Sequence, residues 1–391
     1  MSTPRPPRSG LLFTAFEPSG DAVAAALIAE LKRRDPSLPI HALGGPLMRA
    51  AGAELLEITT EHAAMLTSAV GQAMEHRRRL GRLKQWMRYN PLLALVPVDS
   101  PAANWSVCAL TRKMHNDAHI IHLVAPQLWA WAPWRIHKLQ RLTDHVLCLL
   151  PFEPKWFGDR GVPGTFVGHP VFEAPAPSLA GLPVHEGLKL TVMPGSREGE
   201  LRKNWPTMAA VVAQLQKRHP SLMTIVALRD AKAVETIDRV SADLSERPDT
   251  ARLRIVTGQT DAALVWADAV LVKSGTSTLQ VVARQKPMVA MFNANRIMWN
   301  VVGRFVVFTR TFTLPNLMGE SLGIGRVVPE FVPHFGKVAP VFNAIDALLT
   351  DAAKQQTQRD AMARIAKEFA SVPFAKRAAD VLLTTLRSKQ S

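Results

Sequence analysis

The sequence has little that would anchor or cross-link it. Two cysteines, Cys108 and Cys148, stand among 391 residues. They form neither a disulfide framework nor a metal-ligand spacing, which predicts a reducing compartment. No stretch reaches about 18 uninterrupted apolar residues, so no membrane-spanning helix is expected. The apolar run Leu11–Phe16 follows a proline-rich start with Arg5 and Arg8. It is too short for a signal-peptide core. Acid is also scarce: 32 Asp and Glu face 47 Lys and Arg, for a net charge of +15. No basic-aromatic RNA motif accompanies that excess, which disfavours nucleic acid as partner. The charge fits phosphorylated metabolites, an anionic membrane face, or a plainly soluble surface, and alone it does not choose among them.

What is present is apolar residue (47%) in a chain long enough for two domains. Short apolar runs alternate with helical patterns. Leu11–Ala15, Leu92–Val98, Ile120–Val124 and Val146–Leu149 read as strands, and Asp21–Arg33 as the first helix. This alternation predicts α/β architecture with parallel sheets covered on both faces. Pro170, Pro175, Pro177 and Pro183, with Gly181 and Gly187, read as a linker. A second series follows, with strands near Leu188–Val192, Met223–Ala227, Leu253–Val256, Ala269–Val272 and Met288–Met291, and a helix near Asn204–Lys217. Met362, Ile365, Ala366 and Phe369, then Ala378, Val381, Leu382 and Leu386, give C-terminal helices. The expected domains are 1–172, 173–354 and a helical 355–391 that packs back on the first.

Five segments carry chemistry. Phe16-Glu17-Pro18-Ser19-Gly20-Asp21 lies between the first strand and helix, where doubly wound folds bind ligands. Gly20 permits close backbone approach, Ser19 can cap the helix, and Glu17 suits sugar hydroxyls better than phosphate. Asp99 ends an apolar strand and is followed by Ser100, Pro101 and Asn104. A partly desolvated carboxylate there suits general-base work, though capping the next helix is an alternative. Trp129 and Trp131, in the loop after Ile120–Val124, offer flat faces to a sugar or an acyl chain, or pack in the core. Leu150-Pro151-Phe152-Glu153 and Gly168-His169-Pro170 end later segments, His169 reading as structural rather than catalytic. Pro194-Gly195-Ser196-Arg197 looks like a pyrophosphate clamp, with Arg197 as its fork. Lys273-Ser274-Gly275-Thr276-Ser277-Thr278-Leu279-Gln280 opens a helix after Ala269–Val272 and reads as an anion site, with Gln280 within reach of a ribose hydroxyl.

At these segments, and on to Leu314-Pro315-Asn316-Leu317 and Val328-Pro329-Glu330, the chain resembles the lipid-A-disaccharide synthase family. The resemblance implies a GT-B-like fold, two Rossmann-like domains with parallel sheets facing across a cleft. It implies an inverting hexosyltransferase that joins UDP-2,3-diacylglucosamine to 2,3-diacylglucosamine 1-phosphate, releasing UDP, with no cofactor and no metal. Asp99 matches the family's proposed base. Glu17, Ser19, Gly20 and Asp21 match the acceptor-side turn. Arg197, Ser274, Gly275, Thr276, Gln280 and Asn316 match the donor side. The implied place is the cytoplasm, peripheral at the inner face of the bacterial inner membrane, and a homo-oligomer is allowed for. Phe16 stands where the family has glycine, and its ring is expected to narrow the pocket. Ala102 and Ala103 replace Asp and Phe, Met65-Leu66-Thr67-Ser68-Ala69 lacks the family's glycine and glutamate, and Gln280 replaces a glutamate. These departures motivate a second reading, a catalytically impaired paralogue that binds nucleotide-sugar or lipid without turnover. A UDP-sugar 2-epimerase is disfavoured by the tryptophan loop. Finally, the basic helix near Met74–Arg88 carries a stripe of Leu80, Leu83 and Met87 beside Trp86, with Arg77, Arg78, Arg79, Arg82, Lys84 and Arg88. It is expected to lie on an anionic membrane surface.

Overall fold

The computed structural model describes residues 10–60, 69–303 and 309–387, without the side chains of 69, 70, 72, 298 and 302. Arg5, Arg8 and residues 65–68 of the methionine segment lie outside the described residues. The chain divides into two compact units. The first runs to Glu173 and takes in the segment from Ser371, and the second is Ala174–Ala370.

The first unit is built on seven strands: β1 Leu11–Ala15, β2 Ile40–Gly44, β3 Glu54–Ile58, β4 Ala94–Val98, β5 His119–Leu123, β6 His145–Cys148 and β7 Gly164–Phe166. Their order is β3-β2-β1-β4-β5-β6-β7, and every pairing is parallel. β1 is buried on both faces, as a central parallel strand must be. Leu11, Phe13 and Ala15 pack with Leu27, Ile28 and Leu31 of the helix Pro18–Arg34 and with Phe374, Ala378 and Leu382 of the last helix, Phe374–Arg387. Full burial of such a side chain contributes roughly 1.5–3 kcal/mol, which accounts for that helix joining the first unit rather than the second. Leu12 and Phe16 face the opposite layer, against Leu83, Met87, Val107 and Cys108.

The helix after β1 begins at Pro18, whose fixed φ suits the first helical position, and Glu17 is its N-cap without a side-chain cap bond. Ser19 is inside the helix and exposed, not its cap. The basic helix spans Ala69–Tyr89 and turns its apolar stripe inward. Leu83 and Met87 are buried in the core, Leu80 and Trp86 pack against it, and Trp86 meets His41 edge-on at 5.0 Å. Arg79 is buried and paired with Glu57 at 2.7 Å, while Arg82 reaches Glu57 at 2.8 Å and Glu75 at 2.9 Å. The expected stripe for insertion into a bilayer is therefore spent on the fold, and the cations left at the surface include Arg77, Arg78, Lys84 and Arg88. No helix among the described residues is long and apolar enough to cross a membrane.

The second unit carries six strands: β8 Lys189–Met193, β9 Met223–Leu228, β10 Leu253–Thr257, β11 Ala269–Lys273, β12 Met288–Asn293 and β13 Glu330–His334. Their order is β10-β9-β8-β11-β12-β13, again all parallel. Trp205, Met208, Val212 and Leu215 of the helix Glu198–Arg218 fill its core with Leu190, Val192, Ile345 and Leu349. Each sheet thus runs outward in both directions from a central pair, β1 with β4 and β8 with β11. In such sheets the crevice at the carboxyl ends of that pair is where ligands bind.

Candidate active site

In the first unit this crevice is bounded by the turn after β1, which holds Glu17, and the turn after β4, which holds Asp99. The backbone there is strained. Asp99 (φ 49°), Ser100 (φ 38°), Val124 (φ 67°) and Ala132 (φ 51°) are four of the five non-glycine residues with positive φ among those described. Asp99 and Ser100 follow β4, Val124 follows β5 and Ala132 heads the turn Pro133–Arg135, and such residues cost about 1–3 kcal/mol each unless their surroundings enforce them. Asn104 enforces the Asp99 turn. Fully buried on the helix Pro101–Met114, its amide donates to the carbonyls of Val98 (3.0 Å) and Asp99 (2.7 Å). Its own carbonyl accepts the hydroxyl of Thr14 from β1 at 2.6 Å. The clamp joins β1 to the Asp99 turn and fixes where the half-buried Asp99 begins.

The other residues expected on this side separate by role. Glu17 and Ser19 stand at the head of the first helix, half-buried and exposed. Gly20 packs where a Cβ would come within 3.2 Å of Ala15, so its small size serves close helix–strand packing. Asp21 is buried, and its carboxylate accepts the N–H groups of Gly45 (3.0 Å), Leu47 (3.1 Å) and Met48 (3.1 Å). It caps the helix Pro46–Ala50. Asp21, expected at the acceptor, is therefore occupied with holding the loop after β2. Phe16 corrects a second expectation. Its ring does not narrow the crevice but is buried in the core layer, edge-on to His76 and beneath Arg79.

The tryptophan loop divides as well. Trp129 is tied down, donating its indole N–H to Glu153 at 3.1 Å and meeting Phe152 edge-on at 5.2 Å. Glu153 is buried and also accepts the N–H of Leu150 at 3.0 Å. Burial pushes its carboxyl up to about 7 against the pull of those bonds. Trp131 is exposed. The Gly168-His169-Pro170 turn is structural. Nδ1 of His169 accepts the N–H of Val171 at 3.1 Å, and burial holds the imidazole down near 4, so it is neutral at physiological pH. Gly168 (φ 80°) leaves no room for a side chain, because a Cβ would meet the carbonyl of Val372.

In the second unit the corresponding crevice lies between the turns after β8 and β11. Gly195 (φ 133°) and Gly275 (φ 147°) take up conformations that L side chains rarely adopt. One carboxylate ties the two turns together. Glu200 accepts the N–H of Ser196 at 3.1 Å and pairs with Lys273 at 2.9 Å and, more loosely, Arg197 at 3.5 Å. Burial alone would raise its pKa, but Lys273 and the Ser196 N–H outweigh burial and hold it below the usual carboxylate range. Asn204 adds a bond from its amide to the carbonyl of Pro194 at 3.2 Å. Arg197 is largely exposed, and Ser274 hydrogen-bonds the carbonyl of Phe312 at 3.3 Å. Thr276 is exposed at the start of the helix Ser277–Ala283, and Gln280 is half-exposed within it.

Asn316, expected at the donor, has no capacity left for a ligand. Its amide donates to Val328 O (3.0 Å) and Glu330 (3.1 Å), and its carbonyl accepts the N–H groups of Val327 and Val328, each at 2.8 Å. Glu330 in turn accepts from the hydroxyl of Thr313 at 2.7 Å. The pair staples the helix Leu314–Ser321 to β13. Sequence reasoning passed over Glu200, and named Lys273, Asn104 and Glu153 only as members of their segments, without these roles. The three-residue interval from the helix N-cap Arg197 to Glu200, in the first turn of the helix, was the one local signal that could have found Glu200.

Two parallel α/β sheets, each with ligand-side turns at its switch point, define the GT-B fold. Solved structures agree on that fold. The calicheamicin glycosyltransferase CalG4 has a TM-score of 0.61 at 17% identity over 98% of this chain and 100% of its own. A putative UDP-N-acetylglucosamine 2-epimerase from Listeria monocytogenes has a TM-score of 0.64 at 12% identity over 98% and 97%. A family model described as Lipid-A-disaccharide synthetase matches residues 11–380. The lipid-A-disaccharide synthase of Burkholderia vietnamiensis is 34% identical over 89% of both chains. That of Anaeromyxobacter dehalogenans is 30% identical over 96% of this chain and 97% of its own. The chain belongs to the lipid-A-disaccharide synthase family.

Proposed function

We propose that the protein joins UDP-2,3-diacylglucosamine to 2,3-diacylglucosamine 1-phosphate and releases UDP. The observation that carries this reading is Asp99, held on a strained and clamped turn at a switch point, in a chain of this family. The acceptor's primary hydroxyl is a poor nucleophile until its proton is removed. Asp99 takes that proton as the oxygen forms its bond to the donor's anomeric carbon. The bond from that carbon to the diphosphate breaks on the opposite face, its electron pair leaves with UDP, and the configuration inverts. Arg197, Gly275 and Thr276 meet the charge that gathers on the leaving diphosphate, through a guanidinium fork and backbone N–H groups, with the Ser274 hydroxyl beside them. Gln280 serves the ribose. Glu17 and Ser19 line the acceptor side, with Gly20 packed behind them against Ala15.

Both substrates are lipids, so the protein works at the cytoplasmic face of the inner membrane as a peripheral protein, drawn there by surface cations rather than by an inserted apolar stripe. Replacing Asp99 with Asn keeps the size and removes basicity. General-base assistance is worth roughly 10²–10⁴-fold, so turnover falls by about that factor while UDP affinity is kept. Undiminished turnover in Asp99→Asn overturns the role.

A further inference from the structure

Arginine is rarely left without an anion once water has been partly removed from it. On the helix Pro101–Met114, Arg112 follows that rule and pairs with Asp144 at 2.7 Å. Arg135 does not. Its guanidinium carbon lies 4.3 Å from the ring centre of Trp105 and 4.7 Å from that of Trp131, over both indoles. The described residues offer it no carboxylate. Lys138 adds a second cation 4.8 Å from the Trp105 ring. The indole N–H of Trp105 is itself buried and finds no acceptor among the protein groups. Two cations thus lie against a single indole, and the half-buried Arg135 and the buried indole N–H are both left without an acceptor among the described residues. Desolvation, with nothing to offset it, lowers the pKa of Arg135 from the ordinary guanidinium value.

Stacking on indoles holds a guanidinium plane while leaving its edge free to donate two parallel hydrogen bonds, the geometry that fits a phosphate. Trp105 lies four residues into the helix Pro101–Met114, about 6 Å along its axis at 1.5 Å per residue, and that helix follows directly on the Asp99 turn. The Trp105 indole and the Asp99 turn therefore stand within the reach of one phosphorylated sugar. Trp131 is exposed and offers that sugar ring a flat apolar face. We propose that Arg135, held over Trp105 and Trp131, binds the phosphate monoester of the acceptor sugar. The proposal rests on the transferase reading for the identity of the acceptor. The fixed distance from this phosphate to Asp99 then selects which sugar hydroxyl meets the base.

The test uses the full chain with ¹⁵N-labelled tryptophan indoles, titrated with acyl-free glucosamine 1-phosphate, glucosamine and inorganic phosphate. Glucosamine 1-phosphate should shift the Trp105 and Trp131 indole signals saturably and more tightly than inorganic phosphate, and glucosamine should leave them in place. Arg135→Gln should weaken the sugar phosphate about ten- to a hundredfold, with Arg135→Lys between, and UDP affinity unchanged in both. Equal response to glucosamine and its 1-phosphate, no preference over inorganic phosphate, or full affinity in Arg135→Gln overturns the proposal. Turnover separates this from the transferase reading itself. A wild-type chain inactive on acylated acceptors sinks that reading and leaves the indole titration standing. An active chain whose preference for phosphorylated over dephosphorylated acceptor is the same in wild type and Arg135→Gln sinks the phosphate site alone.

Discussion

Burial pushes the Glu153 carboxyl up to about 7, from 4.5 in a solvated chain, and that residue anchors the tryptophan loop through Trp129. Between those two values the unfolded chain releases a proton that the folded chain keeps. The contribution of Glu153 to stability is therefore full below about pH 4.5 and is lost as the pH rises through about 7. Glu153→Gln cannot ionise. Denaturation at pH 5, 6, 7 and 8 should show wild type losing on the order of 3 kcal/mol relative to the variant across that window. Parallel pH profiles would show that Glu153 titrates as an ordinary carboxylate. Nothing local in Leu150-Pro151-Phe152-Glu153 announces this, because the shift comes from burial in the folded chain, against the opposing bond from Trp129, 24 positions earlier. The same holds for Asn104, whose partners lie on two strands. Asp99 and the Gly195 and Gly275 turns, by contrast, were legible because each ends an apolar run. Asp21 and Asn316 were legible as important, but their hydrogen bonds turn inward to the backbone, and sequence does not show which way a side chain's capacity is spent.

At the scale of elements, the central strands β1, β4, β5, β8, β9 and β11 are predominantly apolar and were readable within a residue or two. The strands that were not read stand mostly at sheet edges. β3 is half-exposed, β7 has three residues, and β13 contains Pro333, a residue that sheets tolerate only at edges and bulges. The helix Ala69–Tyr89 had the right period, but its stripe faces the core and not a bilayer, since periodicity gives a face without naming what covers it. What remains for membranes is charge. Each exposed cation contributes about 1 kcal/mol near an anionic surface, within the reach of salt screening. Replacing Arg77, Arg78, Lys84 and Arg88 together with Gln should weaken co-sedimentation with anionic vesicles at low salt and leave the fold intact. Unchanged binding in that variant, or equal binding of wild type to neutral vesicles, would remove this helix as an electrostatic anchor.

At the scale of the molecule, one strand order occurs twice and the two copies have diverged in what they place at the switch point. The first unit stores backbone strain there and a carboxylate on a fixed turn. The second places glycine turns there, tied by Glu200 to Lys273 and Arg197. On the proposed reading, the first supplies the base and the second the diphosphate cradle of a sugar transfer. The direct measurement is incubation of the purified chain with UDP-2,3-diacylglucosamine and 2,3-diacylglucosamine 1-phosphate, with the product followed by mass and by anomeric proton coupling. The account predicts a disaccharide 1-phosphate with one UDP released per linkage, the new linkage inverted relative to the donor, and loss of both signals in Asp99→Asn. Binding of both substrates with no disaccharide formed would contradict it.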